Sequence, residues 1–233
     1  MRNIFNLDGP LFTGLNKFSD LVILNLLFVL CCLPIVTIGA SVTALSYVTL
    51  KMKDGEEGYV SRSFFKSFKQ NFKQATIIWL IMFALALIMF LDFRLMRAYE
   101  GALGSAVRVT VYVGALIWLM VFAYVFPLLA RFENTIMAMF KNAILLAIAH
   151  APKTLILLVV MGGSVFLTLW NERTLIWGIL VWLVIGFSLI SYISSTVLMP
   201  IFLKLSPPKE EEEEDVWTVD ETPARTKDEA ETD

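Results

Sequence analysis

Reactive side chains are sparse in this 233-residue sequence. His150 is its one histidine, so no zinc-type set of clustered nitrogen and sulfur ligands is available. A serine nucleophile needs a histidine held by an acid. His150 stands alone beside the turn His150-Ala151-Pro152 and reads as an interfacial residue. Cys31 and Cys32 are adjacent in an apolar run. Helical neighbours point about 100° apart, so the two do not pair and read as small apolar helix residues. No GxxxxGK[ST] phosphate loop is present, and Gly162-Gly163-Ser164 reads as a helix-packing element. Asp20, Asp92 and Glu100 lie near the ends of apolar runs or between them. An ionisable residue at the centre of a span would signal ion or proton coupling, and no run carries one. Asn25 is the strongly polar residue inside the first run; it serves either an interhelical hydrogen bond or the lining of a path. Catalytic, cofactor and metal sites are therefore expected to be absent, and the chain is not expected to be an enzyme.

The stretch with the most organised pattern is SRSFFKSFKQNFKQA, residues 61–75. At helical spacing Phe64, Phe65, Phe68 and Phe72 gather on one side, and Arg62, Lys66, Lys69 and Lys73 on the other. An aromatic face backed by a basic face suits a helix lying in a membrane interface, or one offering its aromatic face to a partner's groove.

The surrounding composition sets the class. The chain is 58% hydrophobic and 17% charged, with mean hydropathy +0.72. Its apolar residues lie in blocks near the ~20 residues that cross a bilayer as a helix. Five spans are expected, at about 20–38, 75–93, 107–129, 154–170 and 175–200. Pro34, Pro127 and Pro200 are the expected kink positions, since proline removes a backbone hydrogen bond. Gly39 and Thr43, four apart after Pro34, form a small-residue face that permits close helix approach. Leu11–Phe18 is expected as a short interfacial helix, and 131–142 as a second amphipathic one. The fold class is thus all-α: a polytopic transmembrane helical bundle of about five spans with two interfacial amphipathic helices. Its divisions are an N-terminal segment 1–19, a transmembrane domain 20–205 and an acidic tail 206–233. Phe64, Phe72, Lys73 and Ala75 also recur 68 positions later as Phe132, Phe140, Lys141 and Ala143, a weak internal repeat.

Charge is split along the chain. Residues 1–205 hold 16 basic and 9 acidic side chains, whereas 206–233 hold 3 and 12. The basic body suits anionic lipid. The tail, with EEEEED at 210–215, lacks the apolar content to fold and should be dispensable for insertion. With five spans, eleven Lys and Arg fall on the side of 39–74, 130–153 and 204–209, and six on the other. The positive-inside rule then places the N-terminus outside and the C-terminus inside.

Four blocks carry a resemblance: FNLDGPL (5–11), LCCLPIVTIGASVTALSYVTLK (30–51), GYVSRSFFKSFKQNFKQATIIWL (58–80) and YVFPLLARFENT (124–135). Together they resemble the YesL family, domain of unknown function 624, over nearly all of 4–205. The resemblance implies a multi-pass protein in the plasma membrane of a Gram-positive bacterium. Genes of the family often lie beside binding-protein-dependent sugar importers and glycan-degrading enzymes, which implies an accessory role in carbohydrate uptake. DGEEGYVSRSFF occupies the loop where importer permeases carry an EAA…G pattern and lacks it, so the chain does not read as the permease. The expected function is that of an accessory or regulatory component of a carbohydrate importer. The alternative is a small oligomeric transporter or channel, with Asn25, Thr37, Pro34 and Pro127 along a path. Expected partners are membrane lipid, importer subunits and a second copy of the chain; no nucleic acid is expected.

Overall fold

The computed structural model describes residues 10–56, 58–95 and 101–205, and among these every regular element is helical. The acidic tail lies outside the described residues. Helix α1 runs from Pro10 to Cys31 and α2 from Ile38 to Asp54, with a 3₁₀ turn, Ile35–Thr37, between them. Then follow α3 (Val60–Leu95), α4 (Gly101–Arg131), α5 (Ile136–Ala149) and α6 (Ala151–Leu169). The last rod is α7 (Glu172–Val181), a π-helical turn Trp182–Gly186, and α8 (Phe187–Leu205).

Six helical stretches are long and apolar enough to cross a bilayer. This is the polytopic all-α bundle expected, with one more such helix than the five spans foreseen. The addition is α2, whose first part is expected only as a small-residue helical face after Pro34, and which carries Ser41, Thr43, Ser46 and Thr49. Three of those hydroxyls are satisfied by the helix itself. Ser41 donates to Thr37 O (3.0 Å), Thr43 to Gly39 O (2.9 Å) and Thr49 to Leu45 O (3.1 Å). Bonded in this way, the hydroxyls are buried at little cost. Helix α2 becomes the central post, packed against α3, α4 and α8. At its crowded end Gly39 faces Ala75 O and Trp79 Cβ, where no side chain would fit, in keeping with the close approach expected there.

Helix α1 is one piece, so Leu11–Phe18 is its first part and not a separate interfacial helix. It stops at Cys31, three residues before Pro34. Proline offers no N–H and disfavours a helical residue before it. Thr37 Oγ1 donates to Cys31 O (2.6 Å) and Pro34 O (2.7 Å), serving carbonyls left open at the break. Pro34 is thus a helix terminator, not a kink within a span, and Thr37 is a cap. Pro127 and Pro200 lie inside continuous helices.

The break folds α1 back along α2. Leu21 lies level with Ser188, and Asn25 with Trp182 and Leu183, so α1 runs against α8. Thr49 meets Ser191 and Ser195, while Asp54 meets Arg131 near the Phe132–Phe202 ring contact, so α2 runs along α8. The two helices therefore form an antiparallel hairpin whose ends lie on one side. That removes the basis for placing the N-terminus opposite the C-terminus.

Helix α3 is also unbroken through 36 residues, about 54 Å at 1.5 Å per residue. Its buried stripe is Val60, Phe64, Ser67, Ala75, Ile78 and Met82, spaced by helical turns across the change from charged to apolar sequence. The 61–74 segment is thus the first half of a long rod docked on α2, not a separate helix in the interface plane. The repeat counterpart α5 is a separate helix, N-capped by Thr135 and parted from α6 at His150.

Candidate functional site

Two features stand out: the basic half of α3 and a cavity inside the bundle. On α3 the aromatic stripe divides. Phe64 is fully buried against Leu24, Phe28, Ala44, Leu45 and Val48. Phe68 is half-buried, whereas Phe65 and Phe72 are exposed. The rings stack along the helix, with centroids 6.1 Å apart for Phe64–Phe68 and 5.5 Å for Phe68–Phe72. The sequence therefore placed on one outer face four rings that belong to two surfaces. Arg62, Lys66, Lys69 and Lys73 are all exposed, and none forms an ion pair with a described residue. Charges nearby are engaged instead: Arg131 binds Asp54, Lys51 binds Glu56 at 3.1 Å, and Lys53 sits 3.6 Å over the Tyr192 ring. The unpaired row is a cationic strip on a rigid support.

The interior polar groups hold helices together. Asn25 is fully buried on α1 against the π-helical turn. A π turn shifts the backbone ladder by one residue and leaves carbonyls short of donors. Asn25 Nδ2 donates to Trp182 O (3.0 Å) and Leu183 O (2.8 Å), and its Oδ1 accepts from Ser188 N (3.1 Å). Of its two readings, interhelical bonding is the one the contacts bear out. Thr49, Ser191 and Ser195 form a hydroxyl trio joining α2 to α8, at 2.9 and 2.8 Å. Tyr124 meets Thr154 at 2.9 Å, and Thr154 donates to Ala147 O at 2.8 Å, joining α4, α5 and α6. Cys31 and Cys32 are both free thiols. Among the described residues no group of three His, Cys, Asp or Glu could hold a metal ion.

The cavity has a volume of about 600 Å³ and is walled by α1, α2, α3, α4, α6 and the α7–α8 rod. Three tryptophans, Trp79, Trp118 and Trp182, face it together with Phe28, Phe122 and Phe187. Trp118 Nε1 donates to Met82 O and Trp182 Nε1 to Thr168 Oγ1, both at 2.9 Å, so two of the rings are locked in place. Among the described residues no charged side chain lines it. Gly162 borders the cavity, and a Cβ added there would meet no atom within 4 Å. The same holds at Gly163, so the Gly162-Gly163 pair is not the close-packing element its composition suggests. The cavity was not legible in the sequence, because its walls come from six separate helical segments.

Residues 21–93, which span the α1–α2 hairpin and nearly all of α3, match the model of a family described as "Protein of unknown function, DUF624". The chain is also 27% identical over 172 residues to "Uncharacterized protein YesL" of Bacillus subtilis (strain 168), covering 70% of this chain and 80% of that protein. No solved structure matches it. The matched stretch holds both the hairpin and the cationic strip; over it this multi-pass membrane protein is similar to the DUF624 family, as it is over a longer stretch to YesL.

Proposed function

We propose that the protein is a non-enzymatic membrane component that docks on a carbohydrate importer in the plasma membrane of a Gram-positive bacterium. The observation that carries this reading is the strip Arg62, Lys66, Lys69 and Lys73. It is exposed, unpaired among the described residues, and fixed on a helix nearly twice as long as the ~30 Å hydrocarbon core. The apolar half, from Ala75 onward, suits the bilayer. The charged half then extends toward the inner face, where a soluble or peripheral subunit is within reach. Inside the bundle, Asn25, Thr49, Ser188 and Thr154 bond to other helices, which leaves little for a hydrated solute path. The importer enters through the family resemblance alone: gene neighbours of that kind supply the partner class, and the strip supplies a place to bind it.

The test is affinity capture from native membranes in mild detergent. Importer subunits should co-purify with the parent protein and be lost with Lys66→Glu, Lys69→Glu and Lys73→Glu combined, at unchanged membrane yield. The second reading, a small oligomeric transporter, draws on the cavity beside Pro127. A lone homo-oligomer that moves solute in vesicles would favour it over the first.

A further inference from the structure

We propose that the cavity is a binding site for one acyl chain, with its carbonyl accepting from the indole N–H of Trp79 on α3. Its volume, about 600 Å³, lies in the range of sites that take a whole small ligand. Its walls are aromatic and aliphatic, and they belong to the apolar parts of α3, α4 and α6 that suit the bilayer. A sugar needs many hydrogen-bonding partners, and an ion needs charge or converging carbonyls; the walls supply neither set. A hydrocarbon chain needs only apolar contact. One wall carries hydroxyls: Ser46, Ser191, Ser194 and Ser195. Ser191 and Ser195 are engaged with Thr49. Ser46 and Ser194 have no hydrogen-bond partner among the described residues, but the lining atom that is both buried and unpartnered is Trp79 Nε1. A buried donor without a partner is costly, so the Trp79 indole N–H points to an acceptor on the occupant. An ester or carboxyl carbonyl at the head of a chain meets that need. The open space at Gly162 leaves room beside α6 for the chain itself.

The tryptophans supply the probe. Trp170, Trp177 and Trp217 are changed to phenylalanine, leaving Trp79, Trp118 and Trp182 at the cavity. Brominated fatty acid is titrated into the full-length protein in detergent, and brominated phospholipid is incorporated in nanodiscs. Saturable quenching is expected. Gly162→Leu should abolish the saturable component, because its side chain grows into the cavity. Gly163→Leu, which adds the same bulk at a position not lining the cavity, should leave it intact and serves as the control for folding. Quenching of the Gly162→Leu protein equal to that of the Gly163→Leu protein would overturn the site. Quenching by the phospholipid identifies a bilayer lipid tail as the occupant, and quenching by the fatty acid alone identifies a free single-chain amphiphile. Trp79→Phe, read through Trp118 and Trp182, should weaken binding about fivefold, in line with a modest hydrogen bond. Unchanged affinity would overturn the seating of the carbonyl.

Discussion

Asn25 shows how much one polar side chain does in this bundle. Its amide joins α1 to the backbone of the π-helical turn by two hydrogen bonds and to the Ser188 N–H of α8 by a third. That turn also sets Trp182 at the cavity wall, so the amide links the hairpin to the candidate site. Leucine at this position keeps the bulk and removes the bonds. With interhelical bonds in membranes averaging about 0.6 kcal/mol, Asn25→Leu should cost roughly 2 kcal/mol. For a chain of this size that is a fall of roughly 4–8 °C in Tm in detergent, measured by circular dichroism. An unchanged Tm would show that the π turn does not rely on the amide. Gly39 is limited by space instead of polarity. Gly39→Leu drives a side chain into Ala75 and Trp79 and should lower membrane yield well below that of Asn25→Leu.

At the scale of elements, the basic half of α3 carries two surfaces on one helix. Phe64 belongs to the core shared with α1 and α2, and Phe72 to the outside. Phe64→Ser removes a fully buried ring and should cost about 3–5 kcal/mol, as large-to-small core changes do. Phe72→Ser should cost about 0.5 kcal/mol, as a surface change does. Equal losses in thermal stability would refute the division of the stripe. The contrast also marks what periodicity can tell. The clustering of Phe64, Phe65, Phe68 and Phe72 is visible in the sequence, but which ring meets a neighbour depends on where α2 lies. Helix α2 was legible only in its first turns, as the small-residue face at Gly39 and Thr43; its full length, with hydroxyls bonded to their own helix, was not. The helices α4 and α6 were legible because long apolar runs leave no other solution in lipid. Asn25 was legible as a bonding candidate, while its partner was not: a π turn has no sequence signature in Trp182–Gly186. The cavity depends on both hidden features.

At the scale of the whole molecule, the hairpin changes the topology. With α1 and α2 antiparallel, the start of α1 shares a side with Asp54, Arg131 and the end of α8. Lys17 then joins the side that already holds the strip of α3, and the split of Lys and Arg among the described residues changes from ten against four to eleven against three. Arg94, Arg108 and Arg173 are the three that stay on the far side. The positive-inside bias becomes stronger under the arrangement that packing requires, so two independent lines agree. Reporter fusions test it directly. A reporter before residue 10 should read the cytoplasm, as should reporters after Lys53 and after Asn142, while one after Gly101 should read the exterior. An exterior signal at the N-terminal fusion, with the other three as expected, would mean that α1 crosses alone and that the α1–α2 hairpin does not form in the membrane. An exterior signal after Asn142 would remove the cationic strip from the cytoplasmic face and end the importer-docking proposal with it.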